Sequence, residues 1–248
     1  MAFLFVRRLY FVSKFLYIIM NNCAILVFAK NASTESNSKR IVSAAKANTN
    51  LWSILNKKTL QIAQKSKIPF FIVNDSIQIG TTFGERITNA VQSVFDLGFE
   101  KVIAIGNDCP ELTVHHLQEA KRELQTNDFV FGPDFKGGAY LLGISKKYFE
   151  PTNFENFNWQ SRNLFTSLTD FYKHNQLKIL PFLNDVNDFF SFKNAVNNLS
   201  FKSKLKIDLL YFFTFKNQTF YFLLSKIRLF IVLFLNYRGP PRAAVNAC

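Results

Sequence analysis

The chain is poor in cysteine, which excludes two classes of protein. It contains only Cys23, Cys109 and Cys248 among 248 residues. Three cysteines spaced so widely cannot form a disulfide framework or a cysteine-based zinc site. A reducing cytoplasm is therefore the expected location. Glycine is scarce as well, with 9 residues against 30 phenylalanines.

Long apolar runs are also missing. A membrane-spanning helix needs about 18 uninterrupted apolar residues, and the longest candidate, Leu209 to Leu235, is broken by lysine and arginine. The segment from Met1 to Met20 mixes apolar residues with three basic ones. It shows neither the clean apolar centre nor the small-residue cleavage site of a signal peptide.

The net charge of +13 is concentrated at the two ends of the chain. Residues 1–19 hold three basic and no acidic residues, and residues 201–248 hold eight basic residues and one acid. The middle therefore carries a net charge of only +3, which is ordinary for a globular domain. Nucleic-acid binding, which a basic protein would otherwise suggest, is not expected.

The middle of the chain alternates short apolar runs with helical periodicity, a pattern typical of an α/β domain with a mostly parallel sheet. Strands are predicted at residues 24–29, 69–73, 101–105, 129–131, 139–144 and 177–181. Amphipathic helices are predicted between them, one of them near Ser161 to Tyr172. Lys30 to Arg40 is predicted to be a polar loop.

We divide the chain into three parts: an N-terminal extension at 1–19 that is not needed for the fold, the α/β domain at 20–200, and a basic, aromatic-rich extension at 201–248. Met20 is a candidate translation start because the first strand begins four residues later. Residues 201–235 could dock peripherally on the anionic inner face of the membrane or pack on the domain. We leave both alternatives open.

Polar residues follow three of the predicted strands, at the edge where open α/β sheets bind ligands. Asp108 follows the strand ending at Ile105, Gly137-Gly138 separates two strands, and Asp185 follows the last one. A carboxylate at such a position can hold Mg²⁺ against a diphosphate. Each position has a simpler interpretation: Asp108 as a turn residue, Gly137-Gly138 as a hairpin turn, and Asp188, beside Asp185, as a helix cap.

Two further segments have competing interpretations. Arg86 opens a helix and could meet a phosphate, although the acidic Glu85 beside it suits the first turn of a helix for its own sake. Trp159 could form the floor of an acceptor pocket, and packing in the core is an equally good explanation.

Over residues 21–200 these segments resemble the bacterial glycosyltransferase-A-like group related to 2-phospho-lactate guanylyltransferase, the radical-SAM/selenodomain-associated transferase type. The resemblance is carried by five motifs in order, with the tryptophan segment at Trp159 between the last two: Ala29-Lys30, the segment Phe83 to Arg86, Ile105 to Thr113, Gly132-Pro133 followed by Gly137 to Gly143, and Asp185 to Asn187. It implies a three-layer α/β sandwich of the nucleotide-diphospho-sugar transferase type with a mostly parallel central sheet.

The resemblance also implies a site. Asp108 would be the metal-binding acid for Mg²⁺ or Mn²⁺, and Asp185 would lie on the same rim as a second catalytic residue. The nucleotide would be bound by six further residues: Lys30, Lys39, Arg40, Arg86, Gly137 and Gly138. The partners would be a nucleotide sugar or a nucleoside triphosphate, together with an acceptor that the sequence does not identify.

Two hypotheses for function follow. The first is a metal-dependent transferase that uses a nucleotide-activated donor, by glycosyl or nucleotidyl transfer. The second is a non-catalytic domain that keeps the fold as a binding module. Two departures from the family pattern motivate the second: the segment from Asn31 to Arg40 contains no glycine or proline, and Lys136 stands where the family usually has an aspartate, with Asp134 nearby.

Overall fold

A computed structural model describes residues 22–173 and 176–212 of the chain. The predicted extension at 1–19 lies outside the described residues. So does the part of the predicted C-terminal extension beyond residue 212, which includes most of the segment considered for membrane contact.

Within the described residues, six strands form one sheet in the order β2-β1-β3-β5-β4-β6. Their bounds are β1 Cys23–Phe28, β2 Phe70–Val73, β3 Lys101–Ile105, β4 Phe129–Pro133, β5 Ala139–Ser145 and β6 Leu177–Ile179. β1 pairs in parallel with β2 and β3, and β4 pairs in parallel with β6. Only β5 runs antiparallel, between β3 and β4. The predicted mostly parallel sheet is confirmed.

Helices cover both faces of this sheet, which gives the predicted three layers. Their bounds are α1 Ala32–Ser38, α2 Ala45–Lys65, α3 Phe83–Asp96, α4 Val114–Glu123, α5 Pro151–Glu155, α6 Leu164–Phe171, α7 Phe189–Asn198 and α8 Lys204–Leu210. Alternate residues of β1 point to opposite faces, as strand geometry requires. Ile25 packs with Ala63 of α2 and Leu117 of α4, whereas Leu26 packs with Val91 of α3.

A third cluster lies between α2, α7 and α8. Trp52 of α2, Phe192 of α7 and Leu209 of α8 are each 0% exposed there, and Phe212 joins them. The domain boundary at residue 200 stays a prediction. Among residues 22–173 and 176–212, no helix combines the length and the apolar character needed to cross a membrane.

The prediction of a polar loop from Lys30 to Arg40 was wrong, because α1 forms inside it. The helix is stabilised from a distance. Asp75 accepts hydrogen bonds from the Asn31 backbone N–H at 2.6 Å and from the Thr34 hydroxyl at 2.7 Å. These bonds satisfy donors at the helix start that would otherwise lack partners. Since Asp75 lies more than forty residues along the chain, local sequence does not reveal this helix.

The helix predicted near Ser161 to Tyr172 forms with a later start, at Leu164. The residues before it make a tight turn. The Ser161 hydroxyl donates to the Asn158 carbonyl and accepts from the Asn163 backbone N–H, and Gln160 adopts a φ of 58°. A left-handed residue interrupts a helix, so α6 begins only after this turn.

Candidate active site

The carboxyl end of β3 and the segment before α7 are joined through Asp108. The Asp108 carbonyl accepts a 2.7 Å hydrogen bond from the Val186 backbone N–H, which brings the neighbouring Asp185 to the same place. Gly106 leaves room for the Asp108 side chain, because a β-carbon at that glycine would lie 2.8 Å from Asp108 Oδ1. Two acids separated by 77 positions in the sequence therefore meet at one edge of the sheet.

Asp134 completes an acidic cluster, which we define as Asp108, Asp134 and Asp185. It is 5% exposed, and its Oδ1 accepts backbone hydrogen bonds from Lys136 at 2.6 Å and Gly138 at 2.8 Å. A β-carbon at Gly138 would lie 2.5 Å from Asp134 Oδ2, so the glycine provides the space that the carboxylate occupies.

Asp185 is the member of the acidic cluster that has a buried carboxylate oxygen left unpaired by the described residues. It is 7% exposed, and that oxygen is Oδ1. Burial raises the pKa of Asp185 well above its ordinary value, and the negative charges of Asp108 and Asp134 raise it further. A buried polar atom without a partner costs stability, and such sites often serve a function.

Lys39 is the cation that balances this cluster in the structure. Its Nζ lies 2.6 Å from Asp108 Oδ2 and 3.3 Å from Glu35 Oε1. Burial acts to lower the pKa of Lys39, but the carboxylates of Asp108 and Glu35 outweigh it, so the pKa lies above its usual range. The lysine is therefore held in its charged form.

The backbone of Lys39 is fixed by α2. Its carbonyl accepts hydrogen bonds from Asn48 Nδ2 at 2.9 Å and from Trp52 Nε1 at 3.2 Å. The Asn48 side chain also accepts from the backbone N–H groups of Ile41 and Val42. The segment after α1 thus has a defined path, and it directs the Lys39 side chain into the site.

Three side-chain amides hold the neighbouring strand ends together. Asn107 Nδ2 donates to Asn56 Oδ1, and Asn56 Nδ2 donates to the Lys30 carbonyl at 3.2 Å, which links the end of β3 to the end of β1 through α2. Gln78 donates to the Ala29 carbonyl at 3.4 Å and to the Val73 carbonyl at 3.3 Å. The floor of the site is therefore held by side chains as well as by the sheet.

These residues open into a cavity of about 440 Å³, a volume in the range of small-molecule sites. Besides the acidic cluster it is lined by five basic side chains: Lys30, Lys39, Arg86, Lys136 and Arg162. An aromatic wall, defined as Phe28, Phe83 and Trp159, borders the same space. Phe83 contacts both other rings, with centroid distances of 5.6 Å to Phe28 and 5.5 Å to Trp159.

The structure brings most of the predicted site residues together. The cavity is lined by Asp108, Asp185, Lys30, Lys39, Arg86 and Gly138. Gly137 is not among the lining residues. It has a φ of 88° in the turn between β4 and β5, where a side chain would meet the Arg162 carbonyl. Arg40 is exposed and does not line the cavity either.

The structural roles that the sequence analysis considered for the glycine pair, Asp188 and Trp159 are also observed. Gly137-Gly138 lies in the turn joining two antiparallel strands, as a hairpin would require. The Asp188 carboxylate caps α7 by accepting from the Ser191 backbone N–H at 2.7 Å. Trp159 both borders the cavity and packs on Phe154, to whose carbonyl its Nε1 donates at 2.8 Å.

Sequence reasoning missed several residues of the site, among them Arg162, Glu35 and Lys58. Glu35 is 5% exposed and lines the cavity. Its spacing of four from Lys39 indicates an ion pair only on a helix, and this segment was predicted to be a loop. Lys58 donates to the Cys109 carbonyl at 2.8 Å and so supports the turn after Asp108; burial lowers the pKa of Lys58 to about 8. No local signal marks Lys58.

The acidic cluster suits a hard divalent cation chemically, because Mg²⁺ and Mn²⁺ prefer carboxylate oxygens. The unpartnered Oδ1 of Asp185 is an oxygen that such a cation would satisfy. Within residues 22–173 and 176–212, however, no group of three or more His, Cys, Asp or Glu side chains is placed so that it could hold a metal ion by itself. One or two carboxylates with phosphate oxygens therefore fit better than an all-protein site.

Comparisons with known proteins give a partial family match and one clear similarity of fold. Residues 42–161, just under half of the chain, match the family DUF2064, described as an uncharacterized protein conserved in bacteria. None of the curated proteins matches the chain. A crystal structure of a proposed nucleotide-diphospho-sugar transferase from Desulfovibrio desulfuricans G20 is 24% identical, with a TM-score of 0.68 over 77% of this chain and 94% of that one.

Two more distant structures are also similar. Rv0371c from Mycobacterium tuberculosis H37Rv, in complex with manganese, is 11% identical over 71% of this chain and 99% of its own, with a TM-score of 0.46. A 4-diphosphocytidyl-2C-methyl-D-erythritol synthase from Anaerococcus prevotii is 10% identical over 78% and 95%, with a TM-score of 0.42. The chain has the glycosyltransferase-A-like fold that the sequence predicted.

Proposed function

We propose that this protein is a metal-dependent transferase that uses a nucleotide-activated donor, by glycosyl or nucleotidyl transfer. The observation that carries the proposal is the acidic cluster, in which Asp185 lies close to Asp108 and Asp134 and its buried Oδ1 has no hydrogen-bond partner among the described residues. The resemblance of the fold to a proposed nucleotide-diphospho-sugar transferase supports it. The relation to 2-phospho-lactate guanylyltransferase is the finer form of the same proposal.

In this proposal Asp108 and Asp185 hold Mg²⁺ or Mn²⁺ together with oxygens of the donor diphosphate. When bound, the cation would neutralise charge on the leaving phosphate. The basic lining residues Lys30, Lys39 and Arg86 would orient the same phosphates. Because the backbone that carries Lys39 is already held in place, the protein would contribute mainly positioning and charge stabilisation.

The aromatic wall forms the second half of the site and offers a ligand an apolar surface. Trp159 has its indole N–H committed to the Phe154 carbonyl, so it offers a ligand only its ring. Rings of this kind bind flat or apolar groups through contact area. We assign this wall to the base of the donor or to an apolar part of the acceptor, and Arg162 beside it to an anionic group.

The alternative function is a non-catalytic binding module, and one observation favours it. Lys136, which stands where the family that the sequence resembles usually has an aspartate, is paired with Asp188 at 2.6 Å rather than with the acidic cluster. The Asp134 carboxylate nevertheless lies in the cluster two residues earlier. The cytoplasmic location, the domain boundaries and the membrane contact of residues 201–235 also remain predictions.

A thermal-shift panel tests the proposal. Nucleoside triphosphates and nucleotide sugars are tested with and without Mg²⁺ or Mn²⁺, for the wild type and Asp108→Asn. A ligand at a hundred times its Kd adds about 2.7 kcal/mol, which corresponds to several degrees for a domain of this size. We expect a metal-dependent shift with at least one donor in the wild type only. A panel without any shift contradicts the transferase.

The products then distinguish the two reactions. With water as a slow acceptor, glycosyl transfer releases a nucleoside diphosphate, whereas nucleotidyl transfer releases pyrophosphate. Stabilisation by a donor with neither product, even at high protein concentration, favours the binding module.

A further inference from the structure

The ammonium group of Lys39 already neutralises part of the negative charge of the acidic cluster. It contacts Asp108 Oδ2 at 2.6 Å and Glu35 Oε1 at 3.3 Å. A divalent cation bound to the same Asp108 oxygen would need that position. The ammonium and the cation therefore compete, both for space and through their like charges.

The ammonium group of Lys39 can move away from Asp108 while the backbone of Lys39 stays in place. The Lys39 carbonyl is fixed by Asn48 and Trp52, but the side chain is a flexible four-carbon stem that is 25% exposed at the cavity. A phosphate group entering the cavity would offer the ammonium a second anion within its reach. Lys39 could then exchange Asp108 for the phosphate without any movement of the main chain.

Asp185 gives an independent reason to expect a ligand at this place. Its carboxylate is buried beside Asp108, and its Oδ1 has no partner among the described residues even though Lys39 is close by. The lysine thus satisfies Asp108 and Glu35 but leaves one oxygen of the cluster unsatisfied. The arrangement is that of a cation site only partly filled by an ammonium group.

We propose that Lys39 is a built-in counter-ion that blocks the acidic cluster to a divalent cation until a diphosphate draws its ammonium group away. This rests on the proposed function, since it concerns the same metal and the same donor. Its consequence is that the cation and the diphosphate bind together, each raising the affinity of the other by the same factor. Lys39 is a positioning residue in this account, and its role is to couple the two ligands.

The experiment follows free Mn²⁺ by electron paramagnetic resonance during titration of the full chain. Each titration is made with Mn²⁺ alone and again with inorganic pyrophosphate, against a protein-free reference that corrects for chelation. In the wild type we expect weak binding of Mn²⁺ alone and binding about tenfold tighter or more with pyrophosphate, a coupling of ordinary size.

Three variants separate the effect of charge from that of shape. Lys39→Met should bind Mn²⁺ alone about tenfold more tightly than the wild type, with much of the gain from pyrophosphate lost. Lys39→Arg keeps the charge and should stay close to the wild type. Lys46→Met, a matched change at an exposed position of α2 outside the cavity, should change nothing. Lys39→Gln replaces Lys39→Met if circular dichroism shows that the latter is unfolded.

The outcomes distinguish this proposal from the proposed function. If folded Lys39→Met binds Mn²⁺ alone no more tightly than the wild type while Mn²⁺ with pyrophosphate still binds both, the counter-ion role is overturned and the metal site stands. If no variant binds Mn²⁺ under either condition, the metal site is overturned, and the role of Lys39 with it.

Discussion

The acidic cluster and the aromatic wall border the same cavity, but they are built in opposite ways. In the aromatic wall each group has its partners: Trp159 is packed on Phe83 and Phe154, and its N–H is bonded. In the acidic cluster Asp185 is buried without a partner for Oδ1, and Asp108 depends on a lysine from a distant segment. The wall stabilises the fold, whereas the burial of Asp185 in the cluster costs stability that a bound cation would recover.

This contrast predicts that substitutions on the two sides change stability in opposite directions. Changes in the wall should weaken the fold and leave metal binding intact. A change at Asp185 should remove metal binding and leave the fold as stable or more stable, because its Oδ1 has no partner among the described residues. A stabilised, inactive variant is the expected result at sites where function requires an unfavourable arrangement.

The largest effect is expected in the wall. Trp159→Ala removes a ring that contacts Phe83 and Phe154 and a hydrogen bond to the Phe154 carbonyl. We expect a loss of about 3 kcal/mol in the free energy of unfolding, measured by urea denaturation. Trp159→Phe, which keeps an aromatic ring, should lose clearly less. Loss of Mn²⁺ binding in folded Trp159→Ala would show that the two sides are not independent.

The next effect has the opposite sign. Asp185→Asn replaces a buried carboxylate by a neutral group of the same shape, and we expect a gain of about 1–3 kcal/mol at pH 8. The pKa of Asp185 is raised above its ordinary value of 3.8 by burial and by Asp108 and Asp134. Its ionisation therefore costs stability as the pH rises. The gain should shrink as the pH falls and vanish below the unfolded pKa.

Asp188→Asn is the matched control for the direction of the stability change expected at Asp185. Hydrogen bonds from Lys136 and from the Ser191 backbone lower the pKa of Asp188 to about 2. The ionised form therefore stabilises the fold above the unfolded pKa, and that contribution is lost as the pH falls toward 2. Because the side chain is 55% exposed, we expect the asparagine variant to lose less than about 1 kcal/mol at pH 8. A gain equal to that of Asp185→Asn would contradict the distinction between the two acids.

A smaller effect is expected at Gly138. A β-carbon there would lie 2.5 Å from Asp134 Oδ2, so Gly138→Ala should displace the carboxylate and lower the affinity for Mn²⁺ with pyrophosphate about tenfold, or 1.4 kcal/mol. Gly143→Ala, within β5, is the control: its β-carbon would meet Val130 at 3.0 Å, in the core. It should lower the melting temperature without changing Mn²⁺ affinity. Equal Mn²⁺ affinities in both variants would remove Asp134 from the site.

The smallest effect is expected for one of two arginines that were both predicted from the sequence to bind the nucleotide. Arg40 is exposed and outside the cavity, whereas Arg86 lines it. Arg40→Gln should change stability and ligand affinity by less than about 0.5 kcal/mol. Arg86→Gln should weaken pyrophosphate binding about fivefold or more, as expected for the loss of a charged hydrogen bond. Isothermal titration calorimetry measures both, and a larger loss for Arg40→Gln would place the phosphates elsewhere.

The sequence predicted the sheet and the meeting of Asp108 with Asp185 because both depend on local patterns. Apolar runs mark the strands, and polar residues at the ends of strands collect at one edge of a sheet. It did not predict α1, whose start is capped by Asp75, or the pairing of Lys39 with Asp108. Both contacts join segments far apart in the chain. Local periodicity carries no information about such partners.

The same reason explains why Lys39 lines the cavity and Arg40 does not. The two adjacent basic residues were equivalent in the sequence, and both were assigned to the nucleotide. Asn48 and Trp52 hold the Lys39 carbonyl, and this contact fixes which of the two side chains enters the cavity. The choice is made by α2 and could not be read from the segment itself.

The most direct test of the central claim, that Asp108 binds a cation together with a donor diphosphate, is a calorimetric titration of Mg²⁺. The protein is first saturated with the nucleotide that gives the largest thermal shift. The wild type should show Mg²⁺ binding, and Asp108→Asn should bind at least about a hundredfold more weakly, since a charged ligand worth about 3 kcal/mol is lost. Its melting temperature without ligands should stay close to that of the wild type. Unchanged Mg²⁺ titrations in a folded Asp108→Asn variant would contradict the account.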